Sequence, residues 1–351
     1  MSMLKTVAKV TGGLVGVVLL GVGGGFVWAS STADAKMATH FAVHTVDFPI
    51  PTPLTADEVA ALRAEKAAQM PPVDPKAKVD PIAAPPGPLA GVDLDAVAHE
   101  RALARGKHLV EARYVCTACH GANFGGGVML DDPAIGRFLA PNITTGKGSR
   151  TVSYKAADWD HIVRHGIKPD GTAAVMPSVD FFKMTDQELS DVVTYIRSQP
   201  PVDNTVEPCS LGPIGKVLVA TDQMKASATL LPDHQAMHAA FPPAAVPDAA
   251  YGEHIMKVCS GCHREDFTGG PIVGGDPSWP PAANLTPGPD GLAGWTYDDF
   301  VTTLKTAKAK NGVALRPPMS DIVPYAGHMT EDETHAMWAY LQTLPPKPDG
   351  T

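Results

Sequence analysis

Four of the five cysteines in this 351-residue sequence lie in two identical Cys-x-x-Cys-His frames. Two thiols on one helical turn can reach the two vinyl groups of one porphyrin, and the adjacent imidazole then lies beneath the iron as its proximal ligand. A thioredoxin-like redox pair, a four-thiolate zinc site or structural disulfides would leave that histidine without a role. The frames therefore predict two covalently attached c-type haems, each with one iron. Their ligands are Cys116, Cys119 and His120, and Cys259, Cys262 and His263.

The second axial ligand of each iron is predicted from a shared spacing. Met176 follows Cys116 at the same separation in sequence at which Met319 follows Cys259. Both methionines neighbour proline, which stiffens a loop that could press a thioether onto the distal face of the haem. Met184 and Met329 also occur in both copies, but their separations from the frames are unequal, so we expect them to pack or cap.

The sequence from residue 97 onward is an internal repeat. Each copy has a glycine-containing helix before its haem frame, an Asn-x-Thr motif after it, a middle helix and a closing helix. We predict the middle helices near residues 157–165 and 297–307. The closing helices begin at Thr-x-x-Glu capping boxes and end at proline pairs. The boxes are Thr185 with Glu188 and Thr330 with Glu333.

One uncharged run near the N-terminus predicts a transmembrane helix. Lys5 and Lys9 precede the stretch from Val10 to Ala29, which is long enough to cross the hydrocarbon core of a bilayer as a helix. Positive charge before the run predicts a cytoplasmic N-terminus and an external remainder. A cleaved signal peptide is the alternative, with Ala33-Asp34-Ala35 as its cleavage site. Because covalent haem attachment takes place outside the bacterial inner membrane, we expect haem domains that face the periplasm.

Length, charge and proline content complete the domain plan. The length suits two or three domains. The net charge of −9 offers no basic surface for nucleic acid. Ten prolines lie between Pro49 and Pro88, so this region is predicted to be an extended, largely structureless spacer with one helix at residues 55–69. The predicted organisation is a membrane anchor or signal at 1–30, a Pro-rich spacer at 31–95, haem domain 1 at 96–203, an interdomain linker at 204–247 and haem domain 2 at 248–348.

The histidines outside the frames are expected to have structural or solvent roles. His40 and His44 lie in the predicted spacer, where we expect them to be solvated. We expect His108 and His254 to face the surface of the first helix of their copy or a haem propionate. The remaining histidines are not expected to bind iron.

The two copies resemble class I c-type cytochromes over residues 97–348. The order Asn-Ile-Thr, Trp-Asp, Pro-Asp-Gly, Met-Pro and a closing helix ending in Pro-Pro is similar to the cytochrome subunits of membrane-bound bacterial alcohol and aldehyde dehydrogenases. The run at 211–218 is also similar to theirs. The resemblance implies electron uptake from a periplasmic dehydrogenase and delivery towards quinone or an oxidase. It also implies that the propionate sides of the haems are lined by Pro141, Asn142 and Thr144, and by Asn284 and Thr286.

The sequence thus predicts a mainly α-helical protein of two tandem class I cytochrome c domains with long Gly/Pro loops, preceded by one transmembrane helix. Since both copies keep methionine at the same distance, we expect an electron-transfer protein rather than an enzyme. It would act between a dehydrogenase or quinol-side donor and an oxidase or soluble cytochrome. The alternatives are a dihaem cytochrome c peroxidase, which needs an open distal position, and a haem-based sensor. We expect Cys209 to be an inert or oxidisable thiol, or to crosslink to another chain.

Overall fold

The computed structural model describes residues 23–70, 87–272, 275 and 278–350. It is mainly helical, and each predicted haem domain is built around an apolar cluster of its own. Most of the predicted anchor at 10–29 lies outside the described residues, and helix α1 is seen from residue 23 to residue 37. Every helix in the described ranges is too short or too polar to span a bilayer.

Part of the predicted spacer lies against the first module. Val46 and Phe48 are buried in the apolar cluster of that module. Helix α2 (Ala56–Gln69) follows, and it begins at a capping box formed by Thr55 and Glu58. The segment before α2 therefore differs from the structureless tether that the prolines predict, because its apolar side chains contribute to a core.

The first module runs from a long helix through the first haem frame to a closing helix. The predicted middle and closing helices are both present. The structure also has an antiparallel hairpin between the haem frame and the middle helix, which was not predicted from the sequence. Gly127 lies opposite Ala140 in this hairpin. The elements are α3 (Leu94–His108), a π-helical turn (Leu109–Arg113), α4 (Cys116–His120), β1 (Gly127–Asp132), β2 (Gly136–Ala140), α5 (Ala156–Val163), a 3-10 turn (Ser178–Asp180) and α6 (Asp186–Ser198).

The segment between the haem domains is packed on the first module. Strand β3 (Ser210–Leu211) pairs antiparallel with β2 and extends the hairpin to a three-stranded sheet in the order β1-β2-β3. Helix α7 (Pro213–Ala220) begins with a proline, which is favoured in a first helical turn. A Cβ on Gly215 would collide with the carbonyl of Ile135, so α7 lies directly on the turn of the hairpin.

The second module repeats this order of helices, and its described residues contain no β-strand of the kind seen in the first module. Its first and closing helices pack on each other, as do those of the first module. Where the first module has the 3-10 turn Ser178–Asp180, the second has a full helix. Its elements are α8 (Ala249–Met256), a 3-10 turn (Lys257–Cys259), α9 (Ser260–His263), α10 (Tyr297–Thr306), α11 (Met319–Ala326) and α12 (Glu331–Leu341).

In both modules the first and closing helices cross at a glycine. A Cβ on Gly106 would collide with the Asp191 carbonyl of α6, and a Cβ on Gly252 would collide with the Ala336 carbonyl of α12. Glycine lets the two backbones approach to a distance that no other residue allows. The glycine before each haem frame in the repeat is therefore explained by this crossing.

The predicted capping boxes are confirmed at both closing helices. The backbone amide of Glu188 donates to Thr185 Oγ1 at 3.2 Å, and the amide of Thr185 donates to Glu188 Oε2 at 2.9 Å. Thr330 and Glu333 make the same pair of bonds at 3.2 and 2.9 Å. Both glutamates are buried, so their second carboxylate oxygens need partners elsewhere in the protein.

Candidate haem centres

Each haem frame folds into a tight helical segment. The first frame is α4, and the second is formed by α9 with Cys259 at the end of the preceding 3-10 turn. The four cysteines of the frames are partly buried and free of disulfide bonds. Burial raises the pKa of Cys116 and of Cys259 to about 12. Because neither pair forms a disulfide, the two thiols of each pair are available for the two thioether bonds that attach one porphyrin.

A backbone carbonyl orients each proximal histidine. His120 Nδ1 lies 2.9 Å from the carbonyl oxygen of Pro141, and His263 Nδ1 lies 2.8 Å from that of Ala283. A carbonyl oxygen only accepts hydrogen bonds, so each Nδ1 carries the proton and donates it. Nε2 is left with its lone pair, which is the state that iron ligation requires. Pro141, predicted to line the propionate side, contributes its carbonyl to this orientation.

The Asn-x-Thr motif joins the loop after the haem frame to the chain that leaves the closing helix. Asn142 Oδ1 accepts hydrogen bonds from the amide and the hydroxyl of Thr144 at 2.9 and 2.8 Å. Asn142 Nδ2 donates to the carbonyl of Val202 at 2.7 Å. Contact of these residues with a haem propionate stays a prediction. Equivalent bonds in the second module join Asn284, Thr286 and Lys347.

The two predicted methionine ligands occupy corresponding places in their modules. Met176 and Cys116 are half-buried against the first apolar cluster, and Met319 and Cys259 are half-buried against the second. Met176 lies in a loop, whereas Met319 is the first residue of α11. Met184 is buried within the first cluster, as expected for a packing residue. Ligation of iron by Met176 and Met319 stays a prediction that this placement allows.

The two modules meet at their haem-binding elements. The 3-10 turn Ser178–Asp180, which follows Met176, contacts α9 and the turn that precedes α9. Val258, next to the second frame, packs on the cluster of the first module. In return α11, which begins at Met319, contacts the π-helical turn Leu109–Arg113 just before the first frame. Each module thus places its methionine-bearing segment beside the haem frame of the other.

Asp180 brings a carboxyl group to the second haem frame. A Cβ on Gly261 would collide with Asp180 Oδ1, so the approach depends on glycine between the two cysteines. Asp180 Oδ1 is buried and has no hydrogen-bond partner in the described part of the chain. Burial raises the pKa of Asp180 to about 7. This carboxyl therefore titrates near neutral pH, and its charge acts on Cys259 and Cys262.

A buried charge cluster also joins the modules. Arg113 Nη1 donates to Glu188 at 2.8 Å, and its Nη2 donates to Glu333 at 2.6 Å. His108 lies 2.8 Å from Glu333, and His254 lies 2.8 Å from Glu188. These histidines bind a carboxylate of the opposite module, whereas they were predicted to face a helix surface or a propionate. The cause is the burial of the two capping glutamates at the junction.

One known family model matches each of the two modules separately. The cytochrome c family model matches residues 103–200 and, a second time, residues 249–345. Together the matches cover more than half of the chain. The chain belongs to the cytochrome c family.

Curated relatives of this cytochrome include dehydrogenase subunits. It is 28% identical over 260 residues to the alcohol dehydrogenase (quinone) cytochrome c subunit of Gluconacetobacter polyoxogenes, covering 66% of this chain and 53% of that one. It is 26% identical over 288 residues to the gluconate 2-dehydrogenase cytochrome c subunit of Pantoea cypripedii, covering 71% and 61%. A diheme cytochrome c-type protein of Cereibacter sphaeroides is 22% identical over 261 residues, covering 66% and 82%. The chain spans about half the length of the first of these relatives.

The cytochrome carries two covalently attached c-type haems, one in each module. One further buried group in the first module fits such a cofactor. Trp159 is 3% exposed, and its Nε1 has no hydrogen-bond partner among the described residues. A buried N–H group requires an acceptor, which a haem propionate would supply. The equivalent residue of the second module is Phe300, which has no such donor.

The sequence predictions missed one pair of residues near the haem frames. Phe124 and Phe267 follow the two proximal histidines at the same position, have φ of 57° and 58°, and are buried. They contact Tyr195 and Tyr340 of the closing helices edge-on, with ring centroids 6.2 and 5.8 Å apart. The recurrence of phenylalanine at this position was the available signal.

Proposed function

We propose that this chain is a membrane-anchored dihaem cytochrome that transfers electrons between a dehydrogenase or quinol-side donor and a terminal acceptor, with its haem domains in the bacterial periplasm. The observation that carries the proposal is the reciprocal junction, in which each methionine-bearing segment lies beside the haem frame of the other module. This placement supports a short path between the two redox centres. Haem iron, when bound, supplies reversible one-electron chemistry.

The protein residues hold the redox centres in a fixed state. The carbonyls of Pro141 and Ala283 keep the Nε2 lone pairs of the proximal histidines directed away from the backbone. Met176 and Met319 would hold the irons together with these histidines and would leave no coordination position for a substrate. Groups that are already oriented need not move when the charge at either centre changes. The reorganisation energy of electron transfer therefore stays small.

The partner and the location rest on separate observations. Two of the relatives named above are cytochrome c subunits of dehydrogenases, which supports a dehydrogenase as electron donor. The basic residues Lys5 and Lys9, followed by the uncharged run at 10–29, support an anchor in the inner membrane. Covalent haem attachment, which takes place outside that membrane, supports periplasmic exposure.

The proposed electron-transfer function is tested by the visible spectrum of the full chain, produced together with the haem-attachment machinery. We expect two low-spin haems with the weak red band of methionine-bound ferric iron. Met176→Ala and Met319→Ala should each remove about half of this band, whereas Met184→Leu, at a buried packing position, should leave it unchanged. Reduction of both haems by a quinone-dependent alcohol dehydrogenase is the functional readout. Sustained peroxide turnover by the unmodified protein would contradict the proposed electron-transfer function.

The location is tested by fractionation of cells that express the full chain. We expect covalent haem in washed membranes, and we expect protease added to spheroplasts to degrade the haem domains. A haem protein that is released with the periplasmic fluid and has lost residues 1–30 would show a cleaved signal instead of an anchor.

A further inference from the structure

The first module encloses a cluster of three histidines and one aspartate away from the haem frames. His44 comes from the segment before α2, Asp160 from α5, His165 from the turn after α5, and His238 from the segment between the haem domains. One ligand atom from each lies within 4.8 Å of the others. All four side chains are at most 7% exposed. His44, predicted to be solvated, is buried because this segment folds onto the module.

A chain of hydrogen bonds determines which nitrogen of His165 carries the proton. His234 Nε2 lies 2.9 Å from the carbonyl of Ala228, so it donates and leaves Nδ1 as an acceptor. His165 Nδ1 lies 3.2 Å from His234 Nδ1 and donates its proton to that atom. His165 Nε2 therefore has a free lone pair that points into the cluster.

The other ligand atoms are directed to the same point. His44 Nδ1 lies 3.1 Å from the carbonyl of His234 and donates to it, which leaves Nε2 with its lone pair. His238 makes a backbone hydrogen bond of its own, and its Nε2 lies 3.1 Å from His165 Nε2. His44 Nε2 and Asp160 Oδ2 are buried and have no hydrogen-bond partner within the described ranges. Buried acceptors that face one another without a donor are costly unless a cation lies between them.

We propose that His44, Asp160, His165 and His238 bind one divalent transition-metal ion, and that Zn²⁺ fits the site best. Tetrahedral zinc with bonds of about 2.0–2.1 Å places its ligand atoms about 3.3–3.4 Å apart. His165 Nε2 lies 3.1 Å from His238 Nε2 and 3.9 Å from Asp160 Oδ2, and His44 Nε2 lies 3.5 Å from Asp160 Oδ2. Four buried protein ligands leave no open coordination position, which is typical of a structural zinc site.

The surroundings of the cluster keep its imidazoles neutral. Burial, followed by the charges of neighbouring histidines and Arg164, lowers the pKa of His165 to about 2. Burial and Arg164 lower the pKa of His238 to about 3. Neutral imidazoles are the form that binds metal. Asp160 is the one anionic ligand, and Arg164 pairs with its Oδ1 at 2.6 Å and with Asp186 at 2.8 Å.

The ion would connect three parts of the chain that are far apart in sequence. It would fasten the segment before α2 and the segment between the haem domains to helix α5 of the first module. It would add to the pairing of β3 with β2 and to the burial of Val46 and Phe48 in the first apolar cluster. The site therefore fixes the path by which the N-terminal part of the chain enters the haem domains.

Metal analysis of the full chain with both haems attached tests the site directly. The protein is purified from cells grown with zinc sulfate, dialysed, and assayed for zinc and iron by mass spectrometry. We expect one zinc ion per two irons, and a zinc X-ray absorption spectrum with three imidazole nitrogens and one oxygen at about 2.0–2.1 Å. Another divalent transition metal in the same ratio and ligand shell would also support the site. A protein without a stoichiometric second metal, even after incubation with zinc sulfate, would overturn it.

Two ligand variants and one matched control locate the ion. His44→Gln and His238→Gln should each lose the zinc while both haems keep their absorption bands, which reports that the modules have folded. His40→Gln lies in the same segment as His44, but at an exposed position, and should keep one zinc per two irons. Zinc retained by both ligand variants at the ratio of the unmodified protein would be bound elsewhere, and the proposal would be wrong.

Discussion

The His108 imidazole of the first module hydrogen-bonds the Glu333 carboxylate of the second, 2.8 Å away. Its counterpart in the repeat, His254, makes the same contact with Glu188 in the opposite direction. The two haem domains are thus joined by a nearly two-fold arrangement in which a helix cap serves a second purpose. Oε2 of each glutamate caps its own helix. His108 contacts this same oxygen of Glu333, whereas His254 contacts Oε1 of Glu188.

Loss of Arg113 should weaken the junction strongly. This side chain is 4% exposed and bridges Glu188 and Glu333, so Arg113→Met leaves two buried carboxylates without their shared cation. We expect a loss of about 3–5 kcal/mol in the free energy of unfolding, measured by urea denaturation of the haem-loaded protein. Arg137→Met, which removes a half-exposed pair with Asp131, should cost about 0–1 kcal/mol. Equal costs for the two variants would refute a stabilising role of the bridge.

The junction should lose stability in acid through Glu333. Burial opposes ionisation of this carboxyl, but the hydrogen bond from His108 and the charge of Arg113 bring its pKa down to about 2. A carboxyl whose pKa is depressed on folding stabilises the protein above its unfolded pKa of 4.5, and this contribution is lost as the pH falls towards 2. Glu333→Gln, which can keep the capping box, should flatten the fall of Tm over this range. Identical pH profiles for variant and parent would contradict the assignment.

The potential of the second haem should depend on pH through Asp180. Because burial raises the pKa of Asp180 to about 7, this carboxyl is neutral below that pH and negative above it. Negative charge beside the frame favours ferric iron, so the midpoint potential should fall as pH rises through 7, by at most about 59 mV per pH unit. Asp180→Asn should flatten this dependence and raise the potential at pH 8. The first haem serves as the internal control, and an unchanged second haem would exclude the effect.

Adding one methyl group at the helix crossing should destabilise the module that contains it. Gly252→Ala would push α8 away from the Ala336 carbonyl, and Gly106→Ala would do the same to α3 at Asp191. We expect each to cost about 1–3 kcal/mol or more, measured by denaturation followed through the haem absorption. Gly87→Ala faces open space and should change stability by less than about 0.5 kcal/mol. Comparable effects at all three positions would show that the crossings do not require glycine.

The sequence predicts the elements of this protein better than their contacts. The haem frames, the capping boxes at Thr185 and Thr330, and the middle helices follow local rules of spacing and hydrogen bonding, so they could be found in each copy of the repeat. The partners of His108 and His254 could not, because they are distant in sequence and belong to the other module.

The histidine cluster was hidden for a related reason. Its ligands come from three segments, and the two outer segments were predicted to be a spacer and an interdomain linker. Burial of His44 and His238 depends on how these segments fold back on the first module. That path is a property of the assembled core, to which Val46 and Phe48 contribute, and it leaves no periodic signal in the sequence.

The near two-fold junction has a bearing on the direction of electron flow. The contacts of His108 with Glu333 and of His254 with Glu188 are repeated, so they give an electron that crosses the junction no preferred direction. A preferred direction of electron flow therefore has to come from features that only one module has. Within the described residues the β1-β2-β3 sheet and the buried indole of Trp159 belong to the first module, and the Asp180 carboxyl lies at the second haem frame. A donor that docks at one end and an acceptor at the other would distinguish the ends by these unrepeated features.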